Sequence, residues 1–109
     1  MNFNSRNDVD PVEFLPGIER RTMLYHDLIM LCQFTYKKGA CHDTHSHEYE
    51  QTGYLLKGKM KFTVGDETRV MSPNDAYIIP PGVEHRAESL EDDTRSVEVF
   101  SPVREDYKD

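Results

Sequence analysis

His45 and His47 are separated by one residue, and Gln51 follows four residues after His47. In an extended strand alternate side chains share a face, with Cα atoms about 6.6 Å apart, so two imidazoles at that spacing converge on one ion. On a helix they would splay, because neighbours there lie three or four residues apart. The Gln51 amide oxygen is a hard donor, and His85 comes much later, just after the turn Pro80-Pro81-Gly82. Four nitrogen and oxygen donors from two distant segments suit a divalent transition metal. Zinc, nickel, manganese, iron and cobalt all accept three imidazoles and an amide. Four neutral donors leave the charge of such an ion uncompensated, which favours anionic ligands and enolates over high-valent iron chemistry. His42 is a rival ligand, but its parity in a continuous strand is opposite to that of His45, which predicts it outside the site or in the loop. Cys41, four residues before His45, reads as a small hydrophobe, with a ligand or redox role as the alternative.

A second set lies near the C-terminus. Ser96, Glu98 and Phe100 alternate with Val97 and Val99. In one parity the valines fill the core and Glu98 meets solvent. In the other, Glu98 and Phe100 line a pocket and Arg104 curls back over its mouth. A carboxylate, an aromatic plate and a guanidinium beside a metal suit an acidic sugar. Phe100 would stack on the ring, Arg104 would clamp a carboxylate bidentately, and Glu98 would move protons.

The elements that must position these residues read as short strands cut by turns, without a helical period. Strands are predicted over residues 28–36, 51–56, 59–64, 67–71, 76–79 and 96–100. The turns are Lys37-Lys38-Gly39, Lys57-Gly58, Gly65-Asp66, Ser72-Pro73-Asn74-Asp75 and Pro80-Pro81-Gly82. Residues 18–36 are expected to form an N-terminal hairpin with His26 in its turn. Many short strands at such spacing predict an all-β closed barrel or sandwich. Residues 1–10 read as a flexible N-terminal arm and 11–109 as the barrel with a C-terminal tail.

Length and charge narrow the function. A chain of 109 residues is one domain. Its net charge is −7, and residues 88–109 carry eight acids and three bases, hence −5 of that total. Nucleic acid is excluded as a partner, since its binding relies on cationic contacts to phosphate. No apolar run reaches the roughly 18 residues that span a bilayer, so no membrane partner is expected. The polar N-terminus lacks a signal peptide's apolar stretch, which predicts a cytoplasmic protein with reduced cysteines. The apolar strand over 28–36 has two hydrophobic faces, which suggests burial against a second copy.

The wider spacing resembles the cupin superfamily. Gly39, His45, His47, Gln51 and Gly58 match its first signature, and Asp75, Pro80, Pro81, Gly82 and His85 match its second, with the short intermotif of small microbial cupins. The family's usual glutamate is Gln51 here, and its usual glycine opening the second motif is Asn74, which tolerates the left-handed conformation. The resemblance implies a single-domain jelly-roll barrel, a homodimer, and a metal held by His45, His47, Gln51 and His85. The stretch from Glu98 through Phe100 and Arg104 to Tyr107 is similar to the tail of the KdgF-type cupins, which ketonise unsaturated uronates. In that group an acid, a phenylalanine and an arginine at these spacings carry function. The acid is typically aspartate, and Glu98 is one methylene longer. The resemblance implies a metal-dependent, isomerase-type enzyme that opens the ring of 4,5-unsaturated monouronates from pectin or alginate breakdown. The alternatives are another metal-dependent cupin enzyme, such as a dioxygenase, and a non-enzymatic small-ligand-binding cupin. A negative chain repels such an anion at long range, but salt screens that repulsion over about 8–10 Å.

Overall fold

In the strands, alternation of side chains decides what faces inward. The computed structural model describes residues 2–109; Met1, the first residue of the expected arm, lies outside the described residues. Ten strands follow one another: β1 (Val12–Leu15), β2 (Ile18–Tyr25), β3 (Met30–Tyr36), β4 (Cys41–His45), β5 (Glu50–Lys57), β6 (Met60–Val64), β7 (Glu67–Met71), β8 (Ala76–Ile79), β9 (His85–Ser89) and β10 (Thr94–Ser101). They form a six-stranded sheet, in the order β1-β2-β3-β10-β5-β8, and a four-stranded sheet, in the order β4-β9-β6-β7. All pairings are antiparallel. The two sheets face each other as the expected all-β jelly roll, and no helix among the described residues is long and apolar enough to cross a membrane.

β2 and β3 make the expected hairpin. The strand predicted over 28–36 begins two residues later, at Met30, because Leu28 and Ile29 belong to the hairpin turn and are exposed. Residues 4–9 lie against this hairpin. Asn4 donates to the Met23 carbonyl (2.8 Å), Arg6 to the Gln33 side chain, and Arg21 Nε to the Val9 carbonyl (3.1 Å).

The interior interleaves two kinds of side chain, as where Cys32 stands opposite Glu98 and Phe34 opposite Ser96. Met30, Cys32, Phe34, Leu55, Met60, Phe62, Met71 and Ile79 are buried hydrocarbon or sulfur. Arg20, Gln51, His85, Ser96 and Glu98 are buried polar groups. Buried polar groups persist only where they are hydrogen-bonded or hold something, so each of these needs a partner or a task. The C-terminal tail closes over the interior: Tyr107 is buried against Phe14, Phe34 and Phe100, and Thr22 donates to its carbonyl (2.7 Å).

Two turn residues hold the strands in register. Asn74 has φ +80°, the left-handed conformation expected where the family places glycine. Gly58 has φ +87°, and a methyl there would overlap Thr94, whose Cα would lie at 2.7 Å. Gly58→Ala is therefore expected to destabilise the fold by at least ~1–2 kcal/mol, the conformational part alone. A thermal melt should show a fall of at least about 4 °C; an unchanged melting temperature would contradict this.

Candidate metal centre and active site

β4 ends on His45, and the chain then leaves the sheet. His47 lies in the connection 46–49, and Gln51 is the second residue of β5. The two histidines thus do not share one continuous strand as their spacing suggests. The connection bends them together instead, and the Gly82 N–H anchors it by donating to the His47 carbonyl (2.8 Å). His85 opens β9 directly opposite His45. The ligand-capable nitrogens of His45, His47 and His85 all lie within 4.8 Å of one another.

Each of these rings is oriented by the same device. Nδ1 of His45 faces the Asp43 carbonyl (2.7 Å), that of His47 the Tyr49 carbonyl (3.0 Å), and that of His85 the Val83 carbonyl (2.9 Å). A carbonyl only accepts, so Nδ1 carries the proton and Nε2 of the neutral ring presents a lone pair. His85 Nε2 is buried with no protein partner. His47 Nε2 sits 2.9 Å from Gln51 Oε1. The Gln51 amide nitrogen donates to Glu98 Oε1 (2.8 Å), which turns its oxygen toward the histidine. Two lone-pair atoms in contact repel unless a cation lies between them. The orphaned nitrogen and this acceptor–acceptor contact fit a divalent cation held by His45, His47, Gln51 and His85. Burial holds His85 down to about 4 and lowers His45 as well, which keeps both rings in the neutral, ligating form.

His42 departs from expectation. β4 carries an extra residue between His42 and His45: His42 pairs with Ala87 and His45 with His85, so Asp43 and Thr44 together oppose Arg86 alone. The bulge cancels the parity difference and puts half-buried His42 on the same side as His45. Its ring stacks on His45 (3.6 Å between centroids) and meets Phe14 edge-on (5.1 Å). Burial, then the neighbouring His45, pushes its pKa down to about 3. His42 backs the ligand ring and stands outside the three-histidine cluster. Cys41 opens β4 opposite Glu88 and is likewise outside the cluster.

Along β10, Ser96, Glu98 and Phe100 face inward and the valines outward. Glu98 is 2% exposed. Burial lifts its carboxyl to about 7, against the downward pull of hydrogen bonds from Tyr77 and Gln51. A carboxyl near neutrality can both take and return a proton. Tyr77, unremarked in the sequence, donates its phenol proton to Glu98 Oε2. It stays protonated because burial, and then Glu98, raise its pKa well above the usual value.

Phe100 meets the His47 ring edge-on (6.1 Å). The Arg104 guanidinium lies over Tyr107 (3.8 Å), Tyr49 (4.8 Å) and Phe100 (5.1 Å). It is also paired bidentately with Asp106, Nε to Oδ1 at 3.2 Å and Nη2 to Oδ2 at 2.8 Å. The partly open cavity among these groups is about 30 Å³. That is room for an ion with a water or two, and not for a sugar ring.

Comparison with known proteins agrees with this arrangement. Residues 32–100 match the Cupin domain family. The chain is 30% identical over 103 residues to the pectin degradation protein KdgF of Dickeya dadantii, covering 93% of this chain and 94% of that protein. It superposes on the structure of KdgF from Halomonas sp. with a TM-score of 0.93, at 31% identity and 97% coverage of both chains. The polyketide cyclase RemF from Streptomyces resistomycificus shares the fold, with a TM-score of 0.84 at 23% identity over 96% of this chain and 82% of that one.

Proposed function

Because this chain belongs to the cupin family, and within it to the KdgF type, we propose that it catalyses the ring-opening ketonisation of 4,5-unsaturated monouronates. The observation that carries the reading is the buried Glu98 carboxylate, tied to the Gln51 amide whose oxygen faces the histidine nitrogens. A divalent metal bound by His45, His47, Gln51 and His85 would stabilise negative charge developing on a substrate oxygen.

The chain's own residues account for the rest. Glu98 takes the proton from the anomeric hydroxyl. The bond between C1 and the ring oxygen breaks, C1 becomes an aldehyde, and the electron pair passes to the ring oxygen. Glu98 returns the proton at C4, which leaves a ketone at C5. One proton moves and no atom is gained or lost, so the reaction is an isomerisation. Phe100 offers the ring a flat surface and excludes water. Arg104 leaves its place over Phe100 to clamp the substrate carboxylate, and this movement widens the narrow cavity.

The test mixes metal-loaded protein with freshly generated 4,5-unsaturated galacturonate and follows loss of the ultraviolet absorbance of the conjugated double bond. Acceleration over the buffer blank that disappears in His45→Ala is expected. No acceleration by fully metallated protein overturns the reading and moves a dioxygenase or a ligand-binding cupin ahead. Arg104→Ala is expected to raise KM by ~10–100-fold, following the 1.5–3 kcal/mol typical of hydrogen bonds to charged groups, with a smaller change in kcat. A large loss of kcat at unchanged KM would refute the clamp.

The working unit is read as residues 11–109, with 1–10 accessory, in a cytoplasmic homodimer. The outer face of the six-stranded sheet supports pairing: Leu31, Val99 and Ile78 share one row, with Val97 and Tyr54 in the next. Light scattering that gives a monomer at all concentrations would remove the dimer.

A further inference from the structure

We propose that Tyr77 is the positioning residue of this site: its hydroxyl fixes the carboxylate of Glu98, and through Glu98 it sets Gln51 with its oxygen toward the histidine nitrogens. The kinetic part of this inference rests on the ketonisation reading; the metal-affinity part rests on geometry alone.

Tyr77, Gly53 and Glu98 stand in one row across β8, β5 and β10. Strands two apart in a sheet are separated by about 9.6 Å, and an intervening side chain normally blocks contact. The middle position is glycine. A methyl at Gly53 would overlap the Tyr77 ring, its hydroxyl and Glu98 Oε1. Phe62, from the facing sheet, stacks on Tyr77 (4.0 Å, 25° between planes) and holds the ring flat.

The two Glu98 oxygens are therefore assigned. Oε2 accepts the phenol proton and Oε1 accepts the amide N–H. The two ends of an amide are alike in shape, so hydrogen bonding alone decides which end faces the histidines. A glutamate has three side-chain torsions, and without the phenol its carboxylate is free to turn. The amide of Gln51 then loses its reason to present oxygen rather than nitrogen to His47. The extra methylene of Glu98 is what brings its carboxylate under the control of a residue two strands away.

The test titrates metal-free Tyr77→Phe with zinc against a chromophoric chelator and then measures ketonisation. Zinc affinity is expected to fall about tenfold, within the range seen for outer partners of metal ligands. kcat should fall by a similar factor with KM within about twofold, and the melting temperature should change little because the ring remains on Phe62. In a Glu98→Gln background the added Tyr77→Phe change should alter zinc affinity by less than about twofold, since the carboxylate it acts through is gone. Gly53→Ala, whose methyl would displace both the phenol and Glu98 Oε1, should lose at least as much zinc affinity. Tyr54→Phe, which removes a phenol bonded to Asn74 Oδ1 (2.8 Å) on the outer face, is expected to change neither affinity nor kcat. Unchanged zinc affinity in Tyr77→Phe overturns the inference, as does an equal loss in the Glu98→Gln background. If the wild-type protein fails to ketonise while the zinc pattern holds, the functional reading falls and the positioning role stands.

Discussion

Zinc-loaded His85→Ala protein is expected to ketonise no faster than buffer, and to bind zinc at least about a hundredfold more weakly than wild type. The loss of one orienting partner already reduces metal affinity by 10–100-fold, and here a donor itself is removed. His85 is 3% exposed and its Nε2 has no protein partner, so no neighbouring side chain takes over. The metal-free variant should still fold, because truncation removes a buried, unsatisfied nitrogen along with the ring's packing. Circular dichroism of the metal-free form separates lost binding from lost structure. Wild-type turnover in folded His85→Ala protein would remove the metal from the reaction altogether.

Glu98→Gln is expected to lower kcat by ~10²–10⁴, the usual contribution of a positioned acid–base group. The substitution keeps the shape of the side chain and removes only its capacity to carry a proton back and forth. It also places an amide where Gln51 and Tyr77 both look for an acceptor. Gln51 can still donate to the new amide oxygen and the Tyr77 hydroxyl can accept from the new amide nitrogen, so zinc affinity should fall by far less than in His85→Ala. The melting temperature should hold or rise, because the variant no longer buries an ionisable group whose charge is disfavoured there. Single-turnover measurement at saturating zinc isolates the chemical step. A kcat within threefold of wild type would dismiss Glu98 as the proton carrier.

The cluster of His45, His47 and His85 is legible in the chain because histidines are few, chemically distinct and spaced by motif. The polar strand β9 is not. Its sequence, His-Arg-Ala-Glu-Ser, has no hydrophobic alternation, since the face turned inward is His85, Ala87 and Ser89. A barrel that lines its interior with ligands hides such a strand from any search for apolar periodicity. His42 is misplaced by parity because one bulge residue in β4 shifts the count, and a bulge leaves no mark in residue types. Tyr77 is hidden for the opposite reason. It stands in the apolar run 76–79, where a tyrosine reads as ordinary core. Only the register that aligns it with Gly53 and Glu98 gives its hydroxyl a task. Glu98 itself was ambiguous between two faces, and the inward turn of Phe100 in the same parity resolves it.

The pairing of Arg104 with Asp106 has a consequence for selectivity. The guanidinium is already neutralised by a carboxylate on its own chain. On the proposed reading an anionic guest displaces a carboxylate that stays tethered two residues away, so the mouth gains one negative charge as the guest binds. A uronate would offer the arginine a carboxylate in place of the one Asp106 gives up, and the binding so gained is what Arg104→Ala is expected to lose. A neutral sugar of the same size has nothing to offer in the trade and must leave the guanidinium unpaired. If the chain ketonises uronates as proposed, such an entrance would favour acids over neutral sugars.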